Sequence, residues 1–243
     1  MPRQYKARMA PAKPLKSSPP KAPRARRPRP RAAAEAARVE AIFARLAALN
    51  PTPKGELEYL NHFTLLVAVV LSAQATDAGV NKATRGLFAI ADDPRKMAAL
   101  GEAALIEKIR TIGLFRTKAK NVIALSEALL RDHGGEVPAS ADLLQALPGV
   151  GRKTANVVLN IAFGQPAIAV DTHVFRVSNR IPIAKGKNPE AVERGLMRDV
   201  PAVYLLHAHH WLILHGRYIC KARAPLCKLC PIADLCRYGA KTL

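Results

Sequence analysis

An all-α fold is the expectation, and three observations carry it. Apolar residues recur at helical spacing through almost the whole chain after residue 31, the segments are punctuated by helix-start and helix-stop residues, and no stretch sustains two-residue alternation with β-branched enrichment. With 243 residues, 49% of them hydrophobic, the chain can bury a substantial core in one or two domains.

Taken in order, Val39, Ile42, Phe43 and Leu46 make one apolar stripe on a helix that begins near Ala32 and stops at Asn50-Pro51. Phe63 to Leu71 reads as a buried helix, and its purely apolar run, Leu65 to Leu71, is far too short to span a bilayer. A soluble protein without a membrane partner is expected. Asp77 can cap the next helix, which turns Val80, Leu87 and Phe88 inward; Pro94 occupies a first-turn position, and Leu105, Ile106 and Ile109 form another stripe. The helix running through Lys118 to Arg131 breaks at His133-Gly134-Gly135. Ser140 then caps a short helix, Gly164-Gln165-Pro166 ends the one after it, and further helices are expected after Asp171, Asn188-Pro189 and Pro201. A faint echo at an offset of 35 pairs Ile109, Ile112, Lys118, Asn121, Val122 and Ile123 with Leu144, Leu147, Lys153, Asn156, Val157 and Val158. It carries little weight alone, because paired helices with short turns often look alike.

The net charge of +20 is uneven. Residues 1 to 31 hold eleven Lys and Arg, eight Pro and no acid, so they are expected to form a disordered basic arm, residues 1–32, that attracts DNA loosely. The prolines argue against the amphipathic helix of an organelle-targeting segment, although such a segment would also be Arg-rich. The remainder is still basic, 27 Lys and Arg against 18 acids, which favours a polyanionic partner held through counterion release.

Leu147-Pro148-Gly149-Val150-Gly151-Arg152-Lys153-Thr154 is the stretch around which the rest is organised. Two glycines two apart let the backbone approach a phosphate closely, since neither has a Cβ and both tolerate positive φ. The apolar run Ala155, Val157, Val158, Ile161 and Ala162 opens a helix directly after them, and its free N–H groups and positive dipole end attract anions. Lys153 stands on the rim of this hairpin. Eighteen residues further on, Asp171 in Ala169-Val170-Asp171-Thr172-His173 precedes another helical segment, at a capping position. Each feature alone is more often an ordinary turn or cap.

Together, Leu-Pro-Gly-Val-Gly-Arg-Lys-Thr-Ala-Asn and Val-Asp-Thr-His-Val-Phe-Arg-Val resemble the helix-hairpin-helix and catalytic aspartate segments of the endonuclease III family of DNA repair glycosylases. The resemblance runs from about residue 33 to the C-terminus. It implies a two-domain helix-hairpin-helix glycosylase fold: a six-helix barrel over residues 55–165 with the hairpin at 141–163, and an iron-sulfur cluster domain from 33–54 and 166–243. It further implies a bifunctional DNA N-glycosylase and abasic-site lyase that releases oxidised or damaged pyrimidines from duplex DNA, acting as a monomer. Lys153 would be the nucleophile and Asp171 its acid-base and electrostatic partner. A glycosylase must extrude the nucleotide and fill the gap. The resemblance gives void-filling to Gln74 and wedging to Leu114, neither of which the residues alone would single out. Leu147, Gly149, Val150, Gly151, Arg152 and Thr154 of the hairpin, with Lys221 and Arg223, would meet DNA.

All four cysteines lie between Cys220 and Cys236, leaving none to build the scattered disulfides of a secreted domain. A reducing compartment and a metal site follow more easily. By ligand type, four thiolates suit a [4Fe-4S] cluster or structural zinc equally. The spacing Cys-x6-Cys-x2-Cys-x5-Cys equals that of the family's cluster loop, so the resemblance implies a [4Fe-4S] cluster on Cys220, Cys227, Cys230 and Cys236. His207, His209, His210 and His215 include no pair four apart and no interleaved acid, so packing rather than metal binding is expected of them. Trp211 is expected to join the cluster domain to the rest. An adenine glycosylase of the same superfamily would lack Lys153, and a nonenzymatic cluster-bearing DNA-binding or redox-sensing protein would not need both Lys153 and Asp171. The expected location is the cytoplasm with the nucleoid, or an organelle or nucleus if the arm is a targeting segment.

Overall fold

The computed structural model describes residues 30–242, so the expected basic arm lies, except for its last few residues, outside the described residues. Among the described residues all regular structure is helical: α1 (Pro30–Leu49), α2 (His62–Leu71), α3 (Asp77–Phe88), α4 (Pro94–Ile109), α5 (Phe115–His133), α6 (Ala141–Ala146), α7 (Arg152–Phe163), α8 (Thr172–Arg180), α9 (Pro189–Asp199) and α10 (Ala202–Tyr218), with a 3₁₀ turn at Cys227–Leu229. No helix among the described residues is long and apolar enough to cross a membrane.

The helices close around two cores. One gathers Phe63, Leu66 and Leu71 of α2 with Leu87, Met97, Leu105, Leu125, Leu144 and Val158, drawn from α3 to α7. The other takes α1 away from its sequence neighbours and packs Val39, Ile42 and Phe43 against Val177, Leu196, Trp211 and Ile232. Burial at about 1.5–3 kcal/mol for each large apolar side chain makes this the favourable place for the stripe on α1. Polar contacts fix it there. The buried Arg38 donates to the carbonyls of Ile181 (3.2 Å), Pro182 (2.9 Å) and Leu235 (2.9 Å), and Trp211 Nε1 donates to Asn50 O (2.8 Å). A smaller group, Leu65, Val69, Val157 and Ala169, packs α2 and α7 against the segment that leads into α8.

The start and stop residues behave as their chemistry demands, with two corrections, the first being that Ser140 stands at the N-cap position of α6 but its hydroxyl makes no capping hydrogen bond. Asn61, Asp93, Asp171 and Asn188 each accept an N–H of the first turn, Pro94 and Pro189 open their helices, and Gly134 and Gly164 end theirs in the left-handed conformation. The cap of α3 is Thr76, not Asp77: its hydroxyl accepts the Gly79 N–H, and the Asp77 carboxylate instead meets Arg217 at 2.7 Å.

The faint echo at an offset of 35 turns out to be structural. Ile112 N–H donates to Ile109 O (2.8 Å) where Leu147 N–H donates to Leu144 O (3.1 Å), and left-handed residues follow at Leu114 (φ 59°) and Gly149 (φ 76°). The turn between α4 and α5 therefore opens as the turn between α6 and α7 does, but α5 begins directly after its left-handed residue and α7 two residues later.

Candidate active site and nucleic-acid interface

The hairpin between α6 and α7 is a tight turn in which Val150 N–H donates to Leu147 O (3.1 Å). Gly149 is at φ +76°, and a Cβ there would lie 2.9 Å from Asn121 Cβ and Nδ2 on α5, so both conformation and space demand glycine. Gly151 differs from the sequence expectation. It is an extended N-cap (φ −90°) with open space around its Cβ position, so its glycine meets no backbone demand. No side chain caps α7, which leaves the first-turn N–H groups pointing outward from an exposed surface. Leu147 and Val150 do not face that surface: both are buried with their N–H groups spent inside the turn, so they shape it. Arg152 is exposed but held by Glu193 of α9 through a two-pronged contact (2.8 and 2.9 Å), and Thr154 is half-buried.

Lys153, in the first turn of α7, and Asp171, the N-cap of α8, line the same cleft of about 1120 Å³. Asp171 Oδ1 accepts the Val174 N–H (2.8 Å), fixing the carboxylate. Gln74, exposed, lines the same cleft, and α10 contributes residues that sequence reasoning missed there: Arg217, His209 and His210. Arg217 bonds Glu56 (2.5 Å) and Asp77 (2.7 Å). Burial would weaken its hold on the proton, but Asp77, Glu56 and Asp171 outweigh that and raise its pKa. Burial lowers His209 to about 3, and the neighbouring His210 and Lys153 charges push in the same direction, so its ring is neutral. The Nδ1 atoms of His209 and His210 are buried without a hydrogen-bond partner. No local signal marks these histidines as cleft residues, because they reach Lys153 and Asp171 only through the packing of α10 on α8.

Gln74 and Leu114, far apart in sequence, sit in adjacent turns: a Cβ on Gly113 would be 3.9 Å from Gln74 O. Both are non-glycine residues at positive φ (54° and 59°), a costly conformation that concentrates at functional sites. Leu114 is 59% exposed, so it is a projecting apolar side chain rather than a core residue.

Cys220, Cys227, Cys230 and Cys236 are unbridged and line one small pocket under α10, although no three metal-ligating side chains converge on one point among the described residues. Burial pushes the Cys220 and Cys230 thiols up. Two arginines of α8 brace this loop: Arg180 donates to Lys221 O (2.7 Å) and Cys220 Sγ (3.7 Å), and Arg176 donates to Gly216 O (2.8 Å) and Cys220 O (3.2 Å). The helix that begins at Asp171 thus also carries the cysteine loop, whose Lys221 and Arg223 project into solvent.

A helical fold with an uncapped hairpin helix beside a Lys-Asp cleft defines the class of helix-hairpin-helix DNA repair proteins, and residues 67–202 match the HhH-GPD superfamily base excision DNA repair protein model. Endonuclease III of Rickettsia conorii is 58% identical over 200 residues, 82% of this chain and 95% of that protein, and endonuclease III of Escherichia coli K12 is 56% identical with the same coverage. A trapped endonuclease III–DNA covalent intermediate superposes with a TM-score of 0.79 at 46% identity, covering 84% of this chain and 96% of that one. A thermostable thymine-DNA glycosylase shares the fold (TM-score 0.75, 23% identity, covering 83% and 96%). The chain belongs to the endonuclease III family. It is a DNA-binding enzyme of base excision repair, a DNA glycosylase and abasic-site lyase.

Proposed function

We propose that Lys153 is the nucleophile and Asp171 its acid-base partner in removing oxidised or ring-damaged pyrimidines from duplex DNA. The observation that carries this reading is their convergence on one cleft from the starts of two successive helices, beside the uncapped hairpin. The Lys153 amine attacks C1′ of an extruded nucleotide; the C1′–N bond breaks and the damaged base leaves with its electron pair. Asp171 takes a proton from the attacking nitrogen and stabilises the positive charge that develops on the sugar. Opening of the sugar ring gives a Schiff base between Lys153 and C1′. Loss of a C2′ proton then expels the 3′ phosphate by β-elimination, and water releases the lysine. That a related endonuclease III was trapped as a covalent DNA intermediate supports a covalent nucleophile on the protein.

In this reading the first-turn N–H groups of α7, with Gly149 and Gly151 exposed beside them, hold a backbone phosphate. Gln74 fills the vacated space and Leu114 wedges the stack, in line with their exposure and adjacent turns. Arg152, Thr154, Lys221 and Arg223 add phosphate contacts, Arg152 by exchanging Glu193 for DNA. On the same reading residues 55–165 form a barrel domain and 33–54 with 166–243 a second domain, a division supported by the separation of the two cores, and the protein acts as a monomer.

The donor set fits a [4Fe-4S] cluster, since four unbridged thiols border one pocket with two arginines beside them to balance thiolate charge. Cys220, Cys227, Cys230 and Cys236 would hold it, and its contribution would be to cross-link the C-terminal loop against α8 and α10. The test of the catalytic reading is borohydride trapping on lesion-bearing duplexes. Lys153→Gln should bind DNA but form no trapped adduct and release no base; undiminished strand cleavage by this variant would refute the assignment.

A further inference from the structure

Lys153, Asn156 and Asn160 are spaced three and four apart on α7 and so share one face. Against that face runs Gly164 to Val170, the irregular segment that brings the chain back to Asp171. A segment without helix or sheet partners must find other donors for its carbonyls. Two asparagines supply them for Gln165, Ala167 and Ile168, and the His209 ring meets the Ala169 carbonyl. Asn160 Nδ2 donates to Leu206 O (2.8 Å) and shares its remaining donor capacity between Ala167 O (3.2 Å) and Gln165 O (3.4 Å), while Asn156 Nδ2 donates to Ile168 O (3.3 Å). The order is a ladder: descending α7 from Asn160 to Asn156 to Lys153, the facing segment climbs from Gln165 and Ala167 to Ile168 and then to Asp171.

We propose that Asn156 and Asn160 are positioning residues that set the register of the 164–170 segment and thereby place Asp171 across the cleft from Lys153. The inference rests on the assignment of those two as the reacting pair. Asn160 is 5% exposed, and its contact with Leu206 ties α10, the helix that brings His209, His210 and Arg217 to the cleft, into the same register. Without these amides the carbonyls of Gln165, Ala167 and Ile168 lose their side-chain donors and the segment can shift its register, moving the Asp171 carboxylate while leaving Lys153 and the hairpin where they are.

The experiment is single-turnover kinetics on two substrates, a damaged-pyrimidine duplex and the same duplex with a preformed abasic site, for Asn156→Ala, Asn160→Ala, Asp171→Asn and the paired variants, each shown folded by thermal melt. Base excision should fall about tenfold to a hundredfold in either Asn variant, the scale of a small misplacement of a reacting group. Cleavage at the abasic site and DNA affinity should change by no more than about threefold, since an aldehyde needs Asp171 less. In the Asp171→Asn background the Asn substitutions should cost nothing further, because the group they position is gone. Equal losses on both substrates, or full additivity with Asp171→Asn, would overturn the proposal. If Asn160→Ala does not fold, Asn156→Ala, which removes a single bond from a half-buried residue, decides alone. Unimpaired excision by Asp171→Asn would instead defeat the catalytic reading on which the inference stands.

Discussion

The two hairpin glycines look equivalent in the motif but should respond in opposite ways to alanine. At Gly149, φ +76° obliges an L-residue to adopt the left-handed conformation, which costs about 1–2 kcal/mol. The new Cβ also meets Asn121 Cβ at 2.9 Å, a stem atom that cannot swing away, which adds overpacking of about 1–3 kcal/mol. Restricting the unfolded chain returns about 0.4–1 kcal/mol, so Gly149→Ala should destabilise by roughly 2–4 kcal/mol. For a chain of this size that is a fall in Tm of roughly 5–15 °C. At Gly151 the backbone is extended and a Cβ enters open space, so Gly151→Ala should stay within about 1 kcal/mol of the parent. That same Cβ would stand where a phosphate approaches the free N–H groups, so Gly151→Ala should weaken DNA binding without loss of stability. Thermal and urea melts paired with gel-shift titrations separate the two patterns. Equal destabilisation by both substitutions would refute the reasoning.

Three other outcomes are expected. His209 has a folded pKa of about 3 against an ordinary value of 6.5, so the unfolded chain binds a proton that the folded chain refuses; its contribution is intact above about pH 6.5 and is lost as pH falls toward 3. Urea unfolding at pH 8 and pH 5 should show about 2 kcal/mol lost through this group, and His209→Gln should flatten the slope; an unchanged slope would mean the ring is not buried neutral. Anaerobically purified protein should be yellow-brown with about four irons per chain, and one zinc without iron by elemental analysis would overturn the cluster. Deleting residues 1–31 should leave single-turnover chemistry intact, weaken nonspecific DNA affinity and make log affinity depend less steeply on log salt, since eleven positive charges are removed; an identical salt slope would show that the segment does not touch DNA.

The helices were legible because the signals that make them are local. Apolar spacing, Asp171 and Asn188-Pro189 as helix starts, Pro94 at a first-turn position, and Gly134 and Gly164 as stops all act within a few residues of one another. The loop chemistry was legible for the same reason, since the hairpin with the helix it opens and the four cysteines are each contiguous in the chain. Where two residues compete for one local role the sequence is ambiguous: Thr76 and Asp77 can both cap α3, and only the demand of Arg217 from α10 takes Asp77 out of that role. Positive φ at Gln74 and Leu114 could not be read either, because neither side chain favours it and the surrounding turns impose it. The sequence by itself determined the helical elements and the chemical groups available: an amine, a carboxylate, an anion-binding turn and four thiols. The packing of α1 beside α8 to α10 was foreshadowed only by the family resemblance, while tertiary structure alone decided that Leu147 and Val150 turn inward and that the histidines of α10 reach the cleft. Those outcomes depend on which surfaces bury together across a hundred residues or more, and no short-range pattern encodes that choice.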